Sequence, residues 1–321
     1  MRPVLFTLRI GERVVGIHTY GVLIAVGFAA GIAVAWREAQ RRGLDGGRVL
    51  DLSFWILIAG LLGSRALYVA VNAGSFARAC VDGDGAGPAR TMARVAWDCS
   101  RVLHVWEGGL VFYGGFLAAV GVVAVFARRE GWSFWTVGDV FAPGLALGHA
   151  FGRLGCFAAG CCFGKACLAA ASRWCVVFPR DSVAYDELQA LGAVAPGSET
   201  TPPLHPTQLF EAAGDLLIFA VLAWLRRRPG VRAGRPGVLV LTYAGLYALQ
   251  RFVIELYRGD IDRVFVAHLA TPRLAAALRL PPAEPSLLSS GQLLSLLVLA
   301  GVFLLIYRRK RRDQGAPAFR A

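Results

Sequence analysis

The sequence predicts an all-α integral membrane protein with about seven transmembrane helices. Three observations support this fold class. Hydrophobic residues make up 56% of the 321 residues, and the mean hydropathy is +0.54. The apolar residues are gathered into runs close to the roughly 20 residues that a helix needs to cross a bilayer. Clusters of arginine recur after alternate runs, as expected for a chain that crosses a membrane repeatedly.

Seven apolar runs define the predicted helices. Six are clear, at residues 17–36, 50–71, 108–127, 206–225, 237–257 and 287–307. The remaining run, 134–151, is less apolar because it contains Asp139, Pro143 and His149. The first run starts late and lacks a convincing cleavage site, so we expect a retained helix rather than a signal peptide. We expect residues 1–321 to form a single polytopic membrane domain.

The net charge of +13 would favour nucleic-acid binding in a soluble protein, but the placement of the arginines favours a membrane topology. Basic clusters follow the first, third, fifth and seventh runs, within residues 37–48, 128–129, 226–235 and 308–312. Cytoplasmic loops are enriched in Lys and Arg. We therefore expect an external N-terminus, a cytoplasmic C-terminus and no nucleic-acid partner. Structured outer loops are predicted at about 72–107, 152–205 and 258–285.

All seven cysteines fall in the predicted outer segments or at their rim: Cys80, Cys99, Cys156, Cys161, Cys162, Cys167 and Cys175. An oxidising external compartment permits disulfides. Because seven is an odd number, at least one thiol is free or pairs between chains. The sequence leaves the disulfide pairings open; one candidate pair, Cys80 with Cys99, would close the first outer loop.

Three arginines lie within or just beside apolar runs, where a charge is costly unless it faces a polar cavity. Arg65, Arg153 and Arg251 belong to three different predicted helices, each near the outer face. Taken alone, Arg65 fits a snorkelling side chain, and Arg251 fits a simple i,i+4 pair with Glu255. Taken together, the arginines predict an anion pocket, and the phosphate expected at that depth is a lipid headgroup.

Further polar residues gather at the same face, in the segment HPTQLFE at 205–211. Glu211 is either part of the pocket or a charge that stabilises the start of its helix. His205 is either part of the pocket or a surface residue in front of the helix. The glycine pairs of GGLVFYGG, at 108–115, permit close helix packing or an irregular backbone beside a cavity.

Four blocks in this order resemble the bacterial prolipoprotein diacylglyceryl transferases. They are EGGLVFYGG at 107–115, GRLGCF at 152–157, HPTQLFE at 205–211 and RFVIE at 251–255, supported by Tyr20-Gly21 and by GSRALY at 63–68. The resemblance covers most of the chain, and the GRLG and HPTQLFE blocks are the most specific.

The resemblance implies a reaction without metal or other cofactor. The diacylglyceryl group of phosphatidylglycerol moves to the thiol of a lipobox cysteine in the signal peptide of a preprolipoprotein, forming a thioether and releasing glycerol phosphate. It also implies a multi-pass protein of the bacterial inner membrane, with a periplasm-facing site in contact with membrane lipid. The chemistry suits the residues, since arginines bind phosphate and a base is needed to deprotonate the thiol.

By the same resemblance, Arg153 and Arg251 are the main phosphate and transition-state residues, and Glu255 orients Arg251. Tyr20, Tyr247 and Arg65 would line the lipid site, while His205 and Glu211 would shape its entrance or join its polar network. The matching blocks add five further substrate-binding candidates or neighbours: Gly114, Gly115, Gly155, Gln208 and Arg258.

The chain departs from the family pattern at two points. The family usually has His where this chain has Tyr113, and a phenol with a pKa near 10 is a poor base at neutral pH. Our hypothesis is that His149, four residues before Arg153 on the same helix face, replaces it; the alternative is a histidine that only packs between helices. The second departure is the cysteine-rich continuation of the GRLG block, where family members commonly carry Asn and an acidic residue.

The cysteine cluster admits four interpretations. Its thiols brace the outer loop as disulfides, pack as free thiols, take part in redox chemistry, or bind a metal through Cys156, Cys161, Cys162 and Cys167, although this spacing is unusual for zinc. Three other functions are also weighed for the whole chain. They are a diverged paralogue that binds anionic lipid or uses another acceptor, a small-anion transporter, and a membrane thiol oxidoreductase.

Overall fold

A computed structural model describes residues 4–10, 13–81, 92–105, 108–168, 174–232, 236–260, 263–269, 271–281 and 287–315. Most of these residues are helical. The helices are α1 Thr19–Arg41, α2 Gly46–Val71, α3 Ala73–Val81, α4 Met92–Ser100, α5 Phe112–Arg129, α6 Phe134–Ala159, α7 Val183–Ala190, α8 Thr207–Leu225, α9 Pro229–Arg232, α10 Val238–Tyr257, α11 Pro272–Ala277 and α12 Ser290–Gly315. The strands β1 Val4–Ile10 and β2 Arg13–His18 form one antiparallel hairpin, and β3 Phe265–Leu269 and β4 Leu287–Ser289 form another antiparallel pair.

Six described helices are long and apolar enough to cross a membrane: α1, α2, α5, α8, α10 and α12. Their large apolar side chains point outward in many places, with Leu62 60%, Leu217 66% and Leu297 61% exposed. Soluble monomers rarely expose apolar surface on this scale. The prediction of a mostly helical integral membrane protein is confirmed. Helix α6 has 26 residues but is not among the six.

The chain divides into two compact units, and residues 39–137 form one of them. In this unit α2 packs closely along α5 because glycines replace side chains at the contact. A β-carbon at Gly114 would collide with the backbone of Gly63 and with the side chain of Leu67. The short helices α3 and α4 are joined by a disulfide between Cys80 and Cys99.

Residues 1–38 and 138–321 form the other unit. Its core includes buried residues of α6, α8 and α10, namely Ala142, Ala146, Ile218, Leu222 and Leu239. The carboxylate of Asp139 in α6 caps the start of α10, accepting hydrogen bonds from the backbone N–H groups of Gly237 (2.8 Å) and Val240 (3.0 Å). Negative charge at a helix N-terminus is stabilising, so this acidic residue of the less apolar run has a structural partner.

The structure differs from the sequence-based expectations at the end of α6 and adds elements in the N-terminal segment and the third outer loop. Helix α6 continues to Ala159, eight residues beyond the predicted end of its run at 151, so it takes up the first residues of the outer loop predicted to begin at 152. The polar N-terminal leader forms the β1–β2 hairpin, and the third outer loop contains β3. The third predicted outer loop also contains the short helix α11. Of the first predicted outer loop, residues 82–91 lie outside the described residues.

Candidate active site

A chain of ion pairs joins α6, α8 and α10 at one end of the larger unit. The C-terminal half of α6 carries Arg153, and the start of α8 carries Glu211. The two pair through Nε of the arginine and Oε2 of the glutamate, 2.8 Å apart. The other oxygen of the same carboxylate, Oε1, lies 3.0 Å from Nη1 of Arg251 on α10. One buried carboxylate, 1% exposed, therefore holds two of the arginines predicted for the site.

The network continues along the C-terminal end of α10. Nη2 of Arg251 lies 2.8 Å from Oε2 of Glu255, the i,i+4 partner expected from the sequence. Glu255 also pairs with Arg263, whose Nε lies 3.3 Å from Oε1. Arg263 also donates from Nη2 to the backbone carbonyl of Glu255 and from Nη1 to that of Arg258. Sequence reasoning missed Arg263.

The three arginines and two glutamates leave one net positive charge. The side chains of Arg153 and Arg251 are 20% and 21% exposed, whereas both glutamates are almost completely buried. Within the described part of the chain, Arg153 uses only Nε, which leaves both of its Nη atoms available. A guanidinium fixed through one nitrogen and open at the others suits a phosphate group.

Aromatic residues lie around His149 on α6. Its Nδ1 lies 2.8 Å from the hydroxyl of Tyr243, and its ring centroid lies 5.1 Å from that of Tyr247. No described residue forms a hydrogen bond with its Nε2. Further along α6, Gly155 lies against the ring of Tyr20. A β-carbon built at this glycine would lie only 3.1 Å from the tyrosine ring. Both predicted lipid-site tyrosines thus contact the helix that carries Arg153.

The start of α8 fixes the turn that follows α6. Gln208 donates from Nε2 to the carbonyl of Cys161 (2.7 Å), and Thr207 donates from its hydroxyl to the carbonyl of Cys162 (2.8 Å). Gln208 is completely buried, and its Oε1 has no partner among the described residues. In this structure the Gln208 amide therefore supports the cysteine turn.

His205 and Arg258 flank this turn. The backbone N–H of His205 donates to the carbonyl of Lys165 (3.0 Å), and its ring packs 5.5 Å from that of Tyr257. Burial lowers the pKa of His205 from its ordinary value. Arg258 forms a bidentate pair with Asp260, at 2.8 and 2.5 Å. Both predicted site residues thus lie beside the network, with His205 uncharged at neutral pH.

The cysteines separate into two disulfides and one group of free thiols. The candidate pairing of Cys80 with Cys99 is confirmed, and Cys167 pairs with Cys175. The free thiols belong to Cys156, Cys161 and Cys162, whose sulfur atoms all lie within 4.8 Å of one another. Because Cys167 is in a disulfide, the four-cysteine metal set considered from the sequence does not form in this structure.

Two guanidiniums act on the free thiols, and each also pairs with a carboxylate: Arg153 with Glu211 and Arg258 with Asp260. Hydrogen bonds from Cys156 and Cys161, together with the guanidiniums of Arg258 and Arg153, lower the pKa of the Cys162 thiol. A thiolate at this position is therefore stabilised by its surroundings.

Arg65 belongs to the smaller unit, where it organises a loop. Its side chain is buried and donates to four backbone carbonyls: Val102 (3.0 Å), Gly108 (2.6 Å), Gly109 (3.3 Å) and Arg101. These bonds occupy most of the five N–H donors of a guanidinium. The arrangement favours a structural role for Arg65, and direct contact with lipid stays a prediction.

The glycine-rich motif at 108–115 allows α5 to pack closely against α2. A β-carbon at Gly115 would collide with the hydroxyl of Ser64, as one at Gly114 would with Gly63. Both glycines therefore have the packing role that was one of the two expected for them. Tyr113 starts α5 and is 51% exposed. Glu107 of the motif lies outside the described residues, and substrate contacts of these residues stay predictions.

The sequence contained signals for most of the network. Arg153, Glu211, Arg251 and Glu255 were singled out because charged residues interrupt or flank apolar runs. Buried Asp215 on α8 was missed; it accepts a hydrogen bond from Gln250 on α10 (3.1 Å). The same signal, a carboxylate inside an apolar run, would have identified it. Arg263 carries no such signal, because it follows the apolar run in an ordinary polar loop.

Comparisons with known proteins agree with the motifs. The family model described as prolipoprotein diacylglyceryl transferase matches residues 3–307. A phosphatidylglycerol–prolipoprotein diacylglyceryl transferase of Thermosynechococcus vestitus is 32% identical over 254 residues, covering 79% of this chain and 81% of that protein. Proteins of the same name from Clostridium tetani and Psychrobacter arcticus are 26% and 29% identical, covering 98% and 92% of this chain and 100% and 90% of their own lengths. The chain belongs to the prolipoprotein diacylglyceryl transferase family.

Proposed function

We propose that this protein transfers the diacylglyceryl group of phosphatidylglycerol to the lipobox cysteine of preprolipoproteins, the first step of lipoprotein maturation. The thiol loses its proton and its sulfur forms a C–S bond with the glyceryl carbon. The C–O bond between that carbon and the phosphate breaks, and glycerol phosphate leaves with the bond's electron pair. The names of the relatives support these two substrates.

The observation that carries this proposal is the Arg153–Glu211–Arg251 arrangement. Among the described residues Arg153 is held through Nε, and its Nη atoms are available to the phosphate of the lipid. Negative charge grows on that phosphate as it leaves, and fixed donors at such a position contribute about 3–4 kcal/mol each to transition-state stabilisation. In this mechanism Arg153 and Arg251 bind the phosphate, while Glu211 and Glu255 hold the guanidiniums in place.

The thiol needs a base, and we assign this role to His149. Its Nδ1 is bonded to Tyr243, which leaves Nε2 to accept a proton. The hydrogen bond fixes the orientation of the imidazole ring, as a general base requires. Tyr113 remains the alternative base, since it occupies the position of the family's usual histidine.

The other predicted residues receive supporting roles. Tyr20 and Tyr247 line the lipid site, and His205, Gln208 and Arg258 shape its edge around the cysteine turn. In the smaller unit, Gly114 and Gly115 keep α5 close to α2. Arg65 acts through the backbone carbonyls of Arg101, Val102, Gly108 and Gly109.

The topology is part of the proposal. We place α6 across the membrane as the seventh span, with the N-terminus outside, the C-terminus in the cytoplasm and the arginine network near the periplasmic side of the inner membrane. The alternation of arginine clusters supports this orientation. Single cysteines introduced at Ser198 and at Arg128, in a background without the free thiols, test it in intact spheroplasts. A membrane-impermeant maleimide should label the first and not the second; the opposite pattern would invert the topology.

The activity is tested with purified protein, phosphatidylglycerol and a synthetic lipobox peptide. The proposal predicts a thioether-linked peptide and glycerol phosphate in equal amounts. A matched peptide with Ser in place of the lipobox Cys should give neither product. Failure of correctly folded protein to modify the cysteine peptide would favour a diverged paralogue with another acceptor.

A further inference from the structure

Three free thiols converge on one turn beside the arginine network, where the proposed transfer reaction does not use them. Cys156 lies in the last turn of α6, and Cys161 and Cys162 follow directly after the helix. Their sulfur atoms all lie within 4.8 Å of one another, and each residue is partly buried. The other four cysteines of the chain are paired in disulfides.

The turn that carries the thiols is held in place from several sides. The backbone N–H of Cys161 donates to the carbonyl of Cys156 (3.1 Å), and the carbonyls of Cys161 and Cys162 accept hydrogen bonds from α8. Cys162 has a φ of 57°, a left-handed conformation that non-glycine residues seldom adopt. Such strain persists where the surrounding structure fixes it, and it is often found at functional sites.

We propose that Cys156, Cys161 and Cys162 form a three-thiolate site for a soft d10 metal ion, Cu(I) or Zn(II). Thiolate sulfur is the preferred ligand of such ions. With metal–sulfur bonds of about 2.3 Å, the sulfur atoms of a tetrahedral site lie about 3.8 Å apart. The three thiols need only a small inward movement to reach this spacing. A fourth position stays open to water or to another ligand.

The charge of the surroundings fits this ion. Three thiolates with Zn(II) carry one net negative charge, and with Cu(I) they carry two. The guanidiniums of Arg153 and Arg258 act electrostatically on Cys162 and offset part of that charge, while each also pairs with a carboxylate, Glu211 and Asp260. Disulfide chemistry fits less well, because three thiols leave one sulfur unpaired, whereas a metal uses all three.

Metal binding is tested on the full-length protein in detergent, without any measurement of transfer activity. Zn(II) is titrated against a chromophoric chelator, and Cu(I) is titrated against bicinchoninate. The wild type should bind one equivalent of at least one of the two ions, and comparison of the titrations identifies which one. The triple variant Cys156→Ser/Cys161→Ser/Cys162→Ser should lose this equivalent. It retains His205 and both disulfides, so it also serves as the control for binding elsewhere.

Single variants and alkylation of the thiols show whether weaker metal binding comes from the loss of a thiol ligand or from unfolding of the protein. Each of Cys156→Ser, Cys161→Ser and Cys162→Ser should weaken binding at least tenfold while both disulfides and the thermal unfolding midpoint are retained. Alkylation of the folded wild type should abolish binding without any change of sequence. The proposal is overturned if the triple variant binds as the wild type does, or if one single variant keeps full affinity. A third disulfide would also overturn the proposal. It would show as one alkylatable thiol where three are expected, and as a mass two hydrogens below that of the protein with two disulfides.

Discussion

The side chains of Arg153 and Glu211 form an ion pair between α6 and α8, with Nε and Oε2 separated by 2.8 Å. The second oxygen of Glu211 pairs with Arg251 on α10. Because the glutamate is buried and both arginines are only about one-fifth exposed, the carboxylate fixes two cationic groups with little competition from water. We infer that Glu211 is the residue that positions the two arginines.

Replacing Glu211 with Gln should remove the ion pairs that hold the guanidiniums of Arg153 and Arg251. The variant retains the size of the side chain but loses the charge that holds both guanidiniums, and breaking a buried ion pair typically costs about 3–5 kcal/mol. We expect a lower thermal unfolding midpoint and a fall in transfer rate of about 100-fold. Glu199→Gln is the matched control, since the Arg180–Glu199 pair is exposed on both sides. Equal behaviour of the two variants would contradict the positioning role.

The identity of the base is tested by His149→Ala beside Tyr113→Phe. General base catalysis contributes about 10²–10⁴-fold. We therefore expect the first variant to lose at least about 100-fold in the rate of transfer, and the second to keep most of it. The pH dependence of the peptide reaction should change only in the first. Full activity in both variants would exclude His149 and Tyr113 as the base. Loss of activity in Tyr113→Phe alone would identify Tyr113 as the base.

Substitution of Arg65 by Lys separates a structural role from lipid binding. An ammonium cannot reach the four carbonyls that the guanidinium bonds. We expect a lower unfolding midpoint, faster proteolysis of the loop around residues 101–109, and a KM for phosphatidylglycerol within about twofold of the wild type. Arg78→Lys is a suitable control because its single hydrogen bond is exposed. A raised KM with unchanged stability would instead make Arg65 a direct ligand of the lipid.

The burial of His205 predicts a pH dependence of stability. Its pKa is lowered in the folded protein, so below the unfolded value of about 6.5 the unfolded chain binds the proton more readily. Stability contributed by the neutral ring is therefore complete above that pH and falls as the pH decreases through it. Between about pH 7.5 and 5.5, the unfolding midpoint should decrease less in His205→Gln than in the wild type. An identical decrease in both proteins would exclude His205 as the source.

The sequence predicted six candidate spans because a membrane span must be a long apolar run. Helix ends need not coincide with the ends of the runs: α1 continues to Arg41, five residues beyond the predicted run 17–36. Helix α6 shows the limit of this reasoning, because it continues eight residues beyond the predicted end at 151. The added segment contains Arg153, whose charge is paired with Glu211 on α8. The strands β1 and β2 precede the first apolar run, and no strand was predicted there. Hairpin pairing is a contact between segments, and composition alone does not reveal it.

The candidate site was predictable in its residues and less so in its connections. Isolated charges in apolar runs identified Arg251 and Glu211, but the sequence did not reveal that one carboxylate serves two arginines. Arg263 escaped notice because a charged loop residue has no signature until its partner, Glu255, is located. The disulfide between Cys80 and Cys99 was a candidate pair from its loop, whereas the pairing of Cys167 depends on the course of the second loop.

We propose above that Arg153 and Arg251 of the arginine network bind the phosphate during diacylglyceryl transfer. The most direct measurement is the mass of a lipobox peptide after incubation with phosphatidylglycerol and either wild type, Arg153→Ala, Arg251→Ala or the exposed control Arg180→Ala. We predict that wild type and Arg180→Ala add one diacylglyceryl group to the peptide cysteine, and that the two network variants lose at least about 100-fold of this activity while staying folded. Undiminished transfer by folded Arg153→Ala and Arg251→Ala would contradict the account.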